Sequence, residues 1–171
     1  MKKEIRAKIN ALKIIATDVD GTLTDGGMYY TVKGDIMKKF HVRDGMGVNL
    51  LKRKNIHTIL ITKETNSINR KWAKNMNIKK VYDGIIKKEK LVKTLCNEFK
   101  IKSREICYIG DDINDVELLK NVGLSACPSD ASDVVKKEVD IILNAQGGKG
   151  ALREIADLVL SVKFSKEKKI Y

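Results

Sequence analysis

LKIIATDVDGTLTDGG, residues 12–27, runs from an apolar segment, Ile14-Ile15-Ala16, straight into Asp18, Asp20 and Gly21. A short apolar run that stops at a glycine-containing turn reads as a buried strand. The two carboxylates at its exit stand in a chain of 171 residues with 34 Lys+Arg, 22 Asp+Glu and formal net charge +12. Surplus positive charge would be neutralised more cheaply on the surface. Acids placed at the end of a buried strand therefore need a reason of their own.

Further apolar runs follow at His57–Thr62, Lys80–Tyr82, Glu105–Ile109, Leu124–Cys127 and Ile141–Leu143, with Leu12–Thr17 as the first. Between them the spacing predicts helices at about Gly45–Lys54, Asn66–Met76, Lys88–Phe99, Val116–Asn121, Ser132–Val139 and Gly150–Val162. Strands alternating with helices predict an α/β fold, a Rossmann-like parallel sheet with helices on both faces. One segment breaks the alternation: Met28–Phe40, MYYTVKGDIMKKF, reads as a β-hairpin turning at Lys33-Gly34 and inserted after the first strand. No repeat or linker divides the chain, so residues 1–171 are expected to form one domain.

Ligands of open parallel sheets bind where the strands end, at their carboxyl edge. Along that edge the first strand delivers Asp18, Asp20 and Gly21; the second delivers Thr62 and, beyond Lys63, Glu64. EICYIG delivers Gly110-Asp111-Asp112-Ile113-Asn114-Asp115, and Lys87 and Lys88 follow Gly84. Two unit charges ~4 Å apart repel by about 4 kcal/mol at an effective dielectric near 20. A hard divalent cation, most simply Mg²⁺, relieves that repulsion and leaves room for a phosphate. Asp18 then suits a nucleophile at phosphorus. Asp20, two residues on, suits the group that protonates the leaving oxygen and later takes a proton from water. Thr62 and a lysine would hold phosphoryl oxygens, Asp111 would complete the metal shell with Asp18 and Asp20, and Asp112 and Asp115 would orient it from outside.

Asp18-Val19-Asp20-Gly21-Thr22, Thr62 after an apolar strand, a following lysine and GDDIND (110–115) resemble, in order and strand context, the four motifs of the haloacid dehalogenase superfamily of phosphotransferases. Spacing from Gly84 within that family singles out Lys88 rather than Lys87. FHVRDGMGVNLL (40–51), the preceding hairpin and GGKGALRE (147–154) look like the capless subfamily of octulosonate 8-phosphate phosphatases. Only 41 residues separate Asp20 from Thr62 and 25 separate Thr62 from Lys88, which leaves no space for a cap domain. The resemblance implies a phosphorylated keto-sugar acid as substrate and His41, Val42, Arg43, Asp44 and Gly45 at its sugar-acid end. It also implies a homotetramer in which hairpin flaps, about residues 28–40, close neighbouring sites. Asp44 as a helix cap is the alternative reading of that residue. Members of the subfamily usually carry Gly-Arg after the threonine, whereas this chain has Lys63-Glu64, and Asn49 and Trp72 stand where further arginines are expected. Glu64 looks more like relatives that act on nine-carbon keto-acid 9-phosphates.

The remaining composition narrows the partners. No apolar run approaches the roughly 18 residues of a membrane span. No apolar h-region follows Met1-Lys2-Lys3, so no secretory signal is expected. Cys96, Cys107 and Cys127 are few and scattered, as in a reducing cytoplasm. Aromatics make up 5% and no nucleic-acid-binding pattern is present, so the lysines, including those of the tail at 163–169, read as a solvated face rather than a nucleic-acid surface. A non-catalytic relic of the fold is the other class of reading, but such a relic has no need for both Asp18 and Asp20.

Overall fold

A computed structural model describes residues 2–78 and 80–165. Six parallel strands form the sheet: β1 (Ile14–Thr17), β4 (His57–Ile61), β5 (Lys80–Tyr82), β6 (Ile106–Ile109), β7 (Leu124–Cys127) and β8 (Ile141–Ile142). Their spatial order is β5-β4-β1-β6-β7-β8, so β1 lies between β4 and β6. All four β1 residues are buried, and the three apolar ones alternate between two cores. Ile15 joins one core with Ile9, Leu51, Leu152 and Val159. Ile14 and Ala16 join the other with Leu95, Leu118 and Val135. A central strand covered on both faces has no polar side, which explains its unbroken apolar run.

One face carries α1 (Lys3–Ala11), α2 (Val42–Arg53) and α7 (Ala151–Lys163), with Trp72 and Ala73 of α3 (Ser67–Asn75) packed into the same core. The other carries α4 (Leu91–Phe99), α5 (Val116–Lys120) and α6 (Asp133–Lys136). The insertion between β1 and α2 is the two-stranded antiparallel ribbon of β2 (Tyr29–Thr31) and β3 (Gly34–Met37). Among the described residues nothing else stands between β1 and α2 that could form a cap.

Several boundaries differ from expectation, each for a local reason. The sequence pattern offered no element for α1, a nine-residue lysine-rich helix of a length that is marginal in isolation. Fully buried Ile9 anchors it in the core that α7 also lines. α2 starts at Val42 rather than Gly45 because the Nδ1 of His41 accepts the Arg43 N–H at 3.4 Å and caps the helix. The hairpin turns at Val32-Lys33, one residue earlier than read, since Thr31 pairs with Gly34. Lys88–Lys90 form a separate 3-10 turn ahead of α4. Of the basic tail, Lys166, Lys168 and Lys169 lie outside the described residues.

Candidate active site

Parallel strand order brings the ends of β1, β4 and β6 together, and the chemistry-bearing residues follow. Asp18 extends β1, its N–H donating to the Ile109 carbonyl at 2.9 Å. Thr62 extends β4 in the same way, onto Tyr82 of β5. Gly21 turns the first loop at φ +87°, and a Cβ there would stand 2.0 Å from an Asp111 carboxylate oxygen. Glycine is needed at that point twice over: for the left-handed backbone and for the approach of Asp111.

Lys88 is the hub. Its side chain is 1% exposed, and its Nζ lies 2.9 Å from Asp18 Oδ1 and 2.7 Å from Asp115 Oδ1. Asp115 is saturated: Oδ1 also accepts the Tyr108 hydroxyl at 2.6 Å, and Oδ2 accepts the N–H groups of Asp111 and Asp112. Asp112 caps the 3-10 turn that follows, its Oδ1 taking the Ile113 N–H at 2.8 Å. Burial, then the nearby Asp115 charge, pushes the Asp18 carboxyl up to about 8 despite Lys88. Asp111 rises to about 7 for the same two reasons. For Lys88 burial opposes the charge, yet Asp18 and Asp115 outweigh it and its pKa is raised. One ammonium is thus set against three carboxyl groups that it cannot keep ionised together, so two of them hold their protons more tightly than usual.

That imbalance tests a cation's fit. One oxygen each from Asp18, Asp111 and Asp115 lies within 4.8 Å of the others. Because Asp115 spends both oxygens on protein donors, Asp18 and Asp111 are the carboxylates left to hold a metal. Hard oxygen donors suit Mg²⁺. Asp20 was expected to be a third ligand, but its carboxylate is not among the converging three. Its Oδ1 is taken by Lys38 Nζ at 2.6 Å, and its Oδ2 is buried without a hydrogen-bond partner in the protein. A cleft of about 330 Å³ opens over the group, lined by Asp18, Asp20, Thr62, Lys63, Glu64, Asp111, Asp112, Ile113 and Asn114.

Comparison with known proteins agrees with this geometry. A family model for haloacid dehalogenase-like hydrolases matches residues 48–155. The 3-deoxy-D-manno-octulosonate 8-phosphate phosphatase of Haemophilus influenzae is 35% identical over 156 residues, 91% of this chain and 87% of that protein. The chain belongs to the haloacid dehalogenase-like hydrolases. The cobalt-bound Haemophilus influenzae phosphatase superposes with TM-score 0.89, over 92% of each chain. The Moraxella catarrhalis octulosonate phosphatase, solved with magnesium, phosphate and the sugar acid, is 30% identical at TM-score 0.92, over 96% of this chain and 95% of that one. This hydrolase is therefore an enzyme of the phosphatase type, with the capless form of the fold.

The rest of the hydrolase's expected site divides in two. Exposed Glu64 lines the aspartate cleft. His41, Val42, Arg43 and Gly45 instead line a second depression, about 640 Å³, with Phe40, Met46, Trp72 and Arg153. Asp44 lines neither. It is fully buried, and its Oδ1 accepts the Arg153 N–H at 2.8 Å. Expected at the sugar-acid end, its carboxylate instead caps the amino end of α7, held up to about 6 chiefly by burial. GGKG (147–150) braces its own chain's first loop, since the Gly148 N–H donates to the Thr22 carbonyl and a Cβ on Gly147 would strike the Gly21 carbonyl oxygen at 2.0 Å. Sequence reading missed Tyr108 and Lys38. Tyr108 is the penultimate residue of β6, where strand alternation could have aimed it at Lys88; nothing local marks Lys38.

Proposed function

We propose that this hydrolase is a Mg²⁺-dependent phosphatase of a phosphorylated keto-sugar acid, 3-deoxy-D-manno-octulosonate 8-phosphate first among them. The observation that carries the reading is Asp18, buried at the exit of the central strand, 2.9 Å from Lys88 and beside Asp111. Asp18 attacks phosphorus and the ester P–O bond breaks, with the departing oxygen taking a proton from Asp20. Water then cleaves the aspartyl-phosphate, giving its proton back to Asp20. Asp18 and Asp111 would hold the metal, which supplies charge neutralisation between the carboxylate and the phosphate. Thr62 and Lys88 bind the phosphoryl oxygens; Asp115, with Tyr108, keeps Lys88 aimed at them.

The reading extends to assembly. The hairpin exposes Met28, Tyr29, Tyr30, Ile36 and Met37, apolar surface that suits another subunit, and a homotetramer with flaps over neighbouring sites accounts for it. Such packing would also bring a partner to the His41–Gly45 depression. Three free cysteines favour a cytoplasmic location. Among the described residues no helix is long and apolar enough to cross a membrane.

A second reading rests on Glu64. A carboxylate at the cleft's edge repels the substrate's own carboxylate and favours an amino or hydroxyl substituent, as in nine-carbon keto-acid 9-phosphates. The test is phosphate release, with and without Mg²⁺, from octulosonate 8-phosphate, nonulosonate 9-phosphates and hexose phosphates. Preference for the octulosonate by about tenfold or more in kcat/KM supports the first reading, and preference for a nonulosonate replaces it with the second. Release that is indifferent to metal, or absent from every ester, overturns both.

A further inference from the structure

Lys38 is the residue that the proposed reaction does not use, yet the fold brings it to the reacting group. It follows β3 at the base of the hairpin, and its side chain is only 4% exposed. A lysine so buried normally requires a partner. Its partner is Asp20 Oδ1, at 2.6 Å. The opposite oxygen, Oδ2, has no partner in the protein. Asp20 is therefore clamped by one oxygen and presents the other. The hairpin's base is itself tied down, because Phe40 bridges to Thr24 of the loop that carries Asp20. Clamp and clamped residue are thus joined by a second tie besides the ion pair.

We propose that Lys38 is a positioning residue for proton transfer: it fixes Asp20 through Oδ1 so that Oδ2 alone gives the proton to the leaving oxygen and takes one from the attacking water. The inference rests on the reading of Asp20 as the proton carrier. It also assigns the hairpin a second role, since whatever settles the ribbon settles the catalytic carboxylate at its foot.

The test exploits leaving groups. A sugar alkoxide needs a proton as it departs, whereas p-nitrophenolate leaves without one, and kcat/KM reports the step in which it departs. Lys38→Met keeps the stem and removes the charge. Expected is a loss of roughly 10–100-fold in kcat/KM for alkyl phosphates against less than about 3-fold for p-nitrophenyl phosphate, with Lys38→Arg restoring much of the difference. Adding Lys38→Met to Asp20→Asn should cost nothing further on alkyl esters, because the lysine acts only through that carboxylate. Equal losses on both ester classes, or multiplying losses in the double variant, overturn the proposal and make Lys38 a substrate contact or a structural residue. If Lys38→Met fails to fold by circular dichroism, Lys38→Gln carries the same comparison. An Asp20→Asn protein that keeps full activity on alkyl esters breaks the underlying mechanism instead.

Discussion

At the rim of the sheet this protein buries charge, and along its hairpin it exposes apolar surface. Lys88 and Asp115 are wholly buried and Asp18 nearly so, while Tyr30 is 67% and Ile36 61% exposed. Both regions invert the usual distribution of residue types, and each is incomplete on its own. The rim carries more carboxyl groups than Lys88 can keep ionised, which a small cation corrects. The ribbon carries more apolar surface than so small an element can hide, surface of the kind that suits another protein. Buried charge and exposed apolar surface thus mark one chain in opposite ways. They meet at Lys38, where the ribbon touches the rim.

Four changes would break or sharpen that contrast. The largest effect is expected from Asp18→Asn, which should reduce kcat by on the order of 10⁴-fold or more. Because the native carboxyl is held up to about 8, the neutral amide should leave the thermal midpoint unchanged or higher. Phosphate release and calorimetry on the same sample check both halves, and substantial residual turnover would end the nucleophile assignment. Lys88→Met comes next. It strands two buried carboxylates and should cost about 3–5 kcal/mol in urea unfolding as well as activity. A variant of normal stability would mean that the rim's charges are better hydrated than their burial implies.

Asp44 is a buried charge used for structure, and its effect is smaller. Its folded pKa of about 6 lies above the 3.8 of an unperturbed aspartate, so the native state takes up the proton first. Its contribution to stability therefore rises as pH falls from about 6 to about 4, by on the order of 2 kcal/mol. Asp44→Asn should remove that component from the pH dependence of unfolding while leaving KM unchanged. A raised KM would restore Asp44 to the sugar-acid end of the site. The smallest effect on the fold is expected in the hairpin: Ile36→Ser should shift subunit stability by no more than about 0.5 kcal/mol. Light scattering should nonetheless show weakened self-association, and an unchanged mass would remove the ribbon from the interface.

How far the sequence revealed this outcome depends on the range of each interaction. β1 and its Asp18-Val19-Asp20-Gly21-Thr22 exit were legible because burial on both faces writes an unbroken apolar run. Thr62 and Asp111 could be placed at one edge because parallel strands end there, whereas Lys88 was singled out over Lys87 only by its spacing from Gly84 in the resembled family. α1 was not, since nine lysine-rich residues become a helix through Ile9 and its buried contacts rather than through propensity. Asp44 was read toward the substrate because its capping partner, Arg153, lies far along the chain, and a cap supplied to another helix leaves no local pattern. Lys38 was missed for the same cause, its partner lying on the far side of a folded ribbon. Asp115 was legible as a supporting acid, but its saturation by Tyr108 and two backbone N–H groups required the fold.

The brace at Gly147-Gly148 carries a consequence for synthesis. The loop bearing Asp18 and Asp20 is made well before Gly147 and Gly148, yet its shape depends on those glycines, whose backbones lock against Gly21, Thr22 and Asp25. A ribosome that has delivered every motif through GDDIND has not yet delivered the brace for the first of them. A chain cut between the two would carry the rim's carboxylates without the backbone that frames their loop.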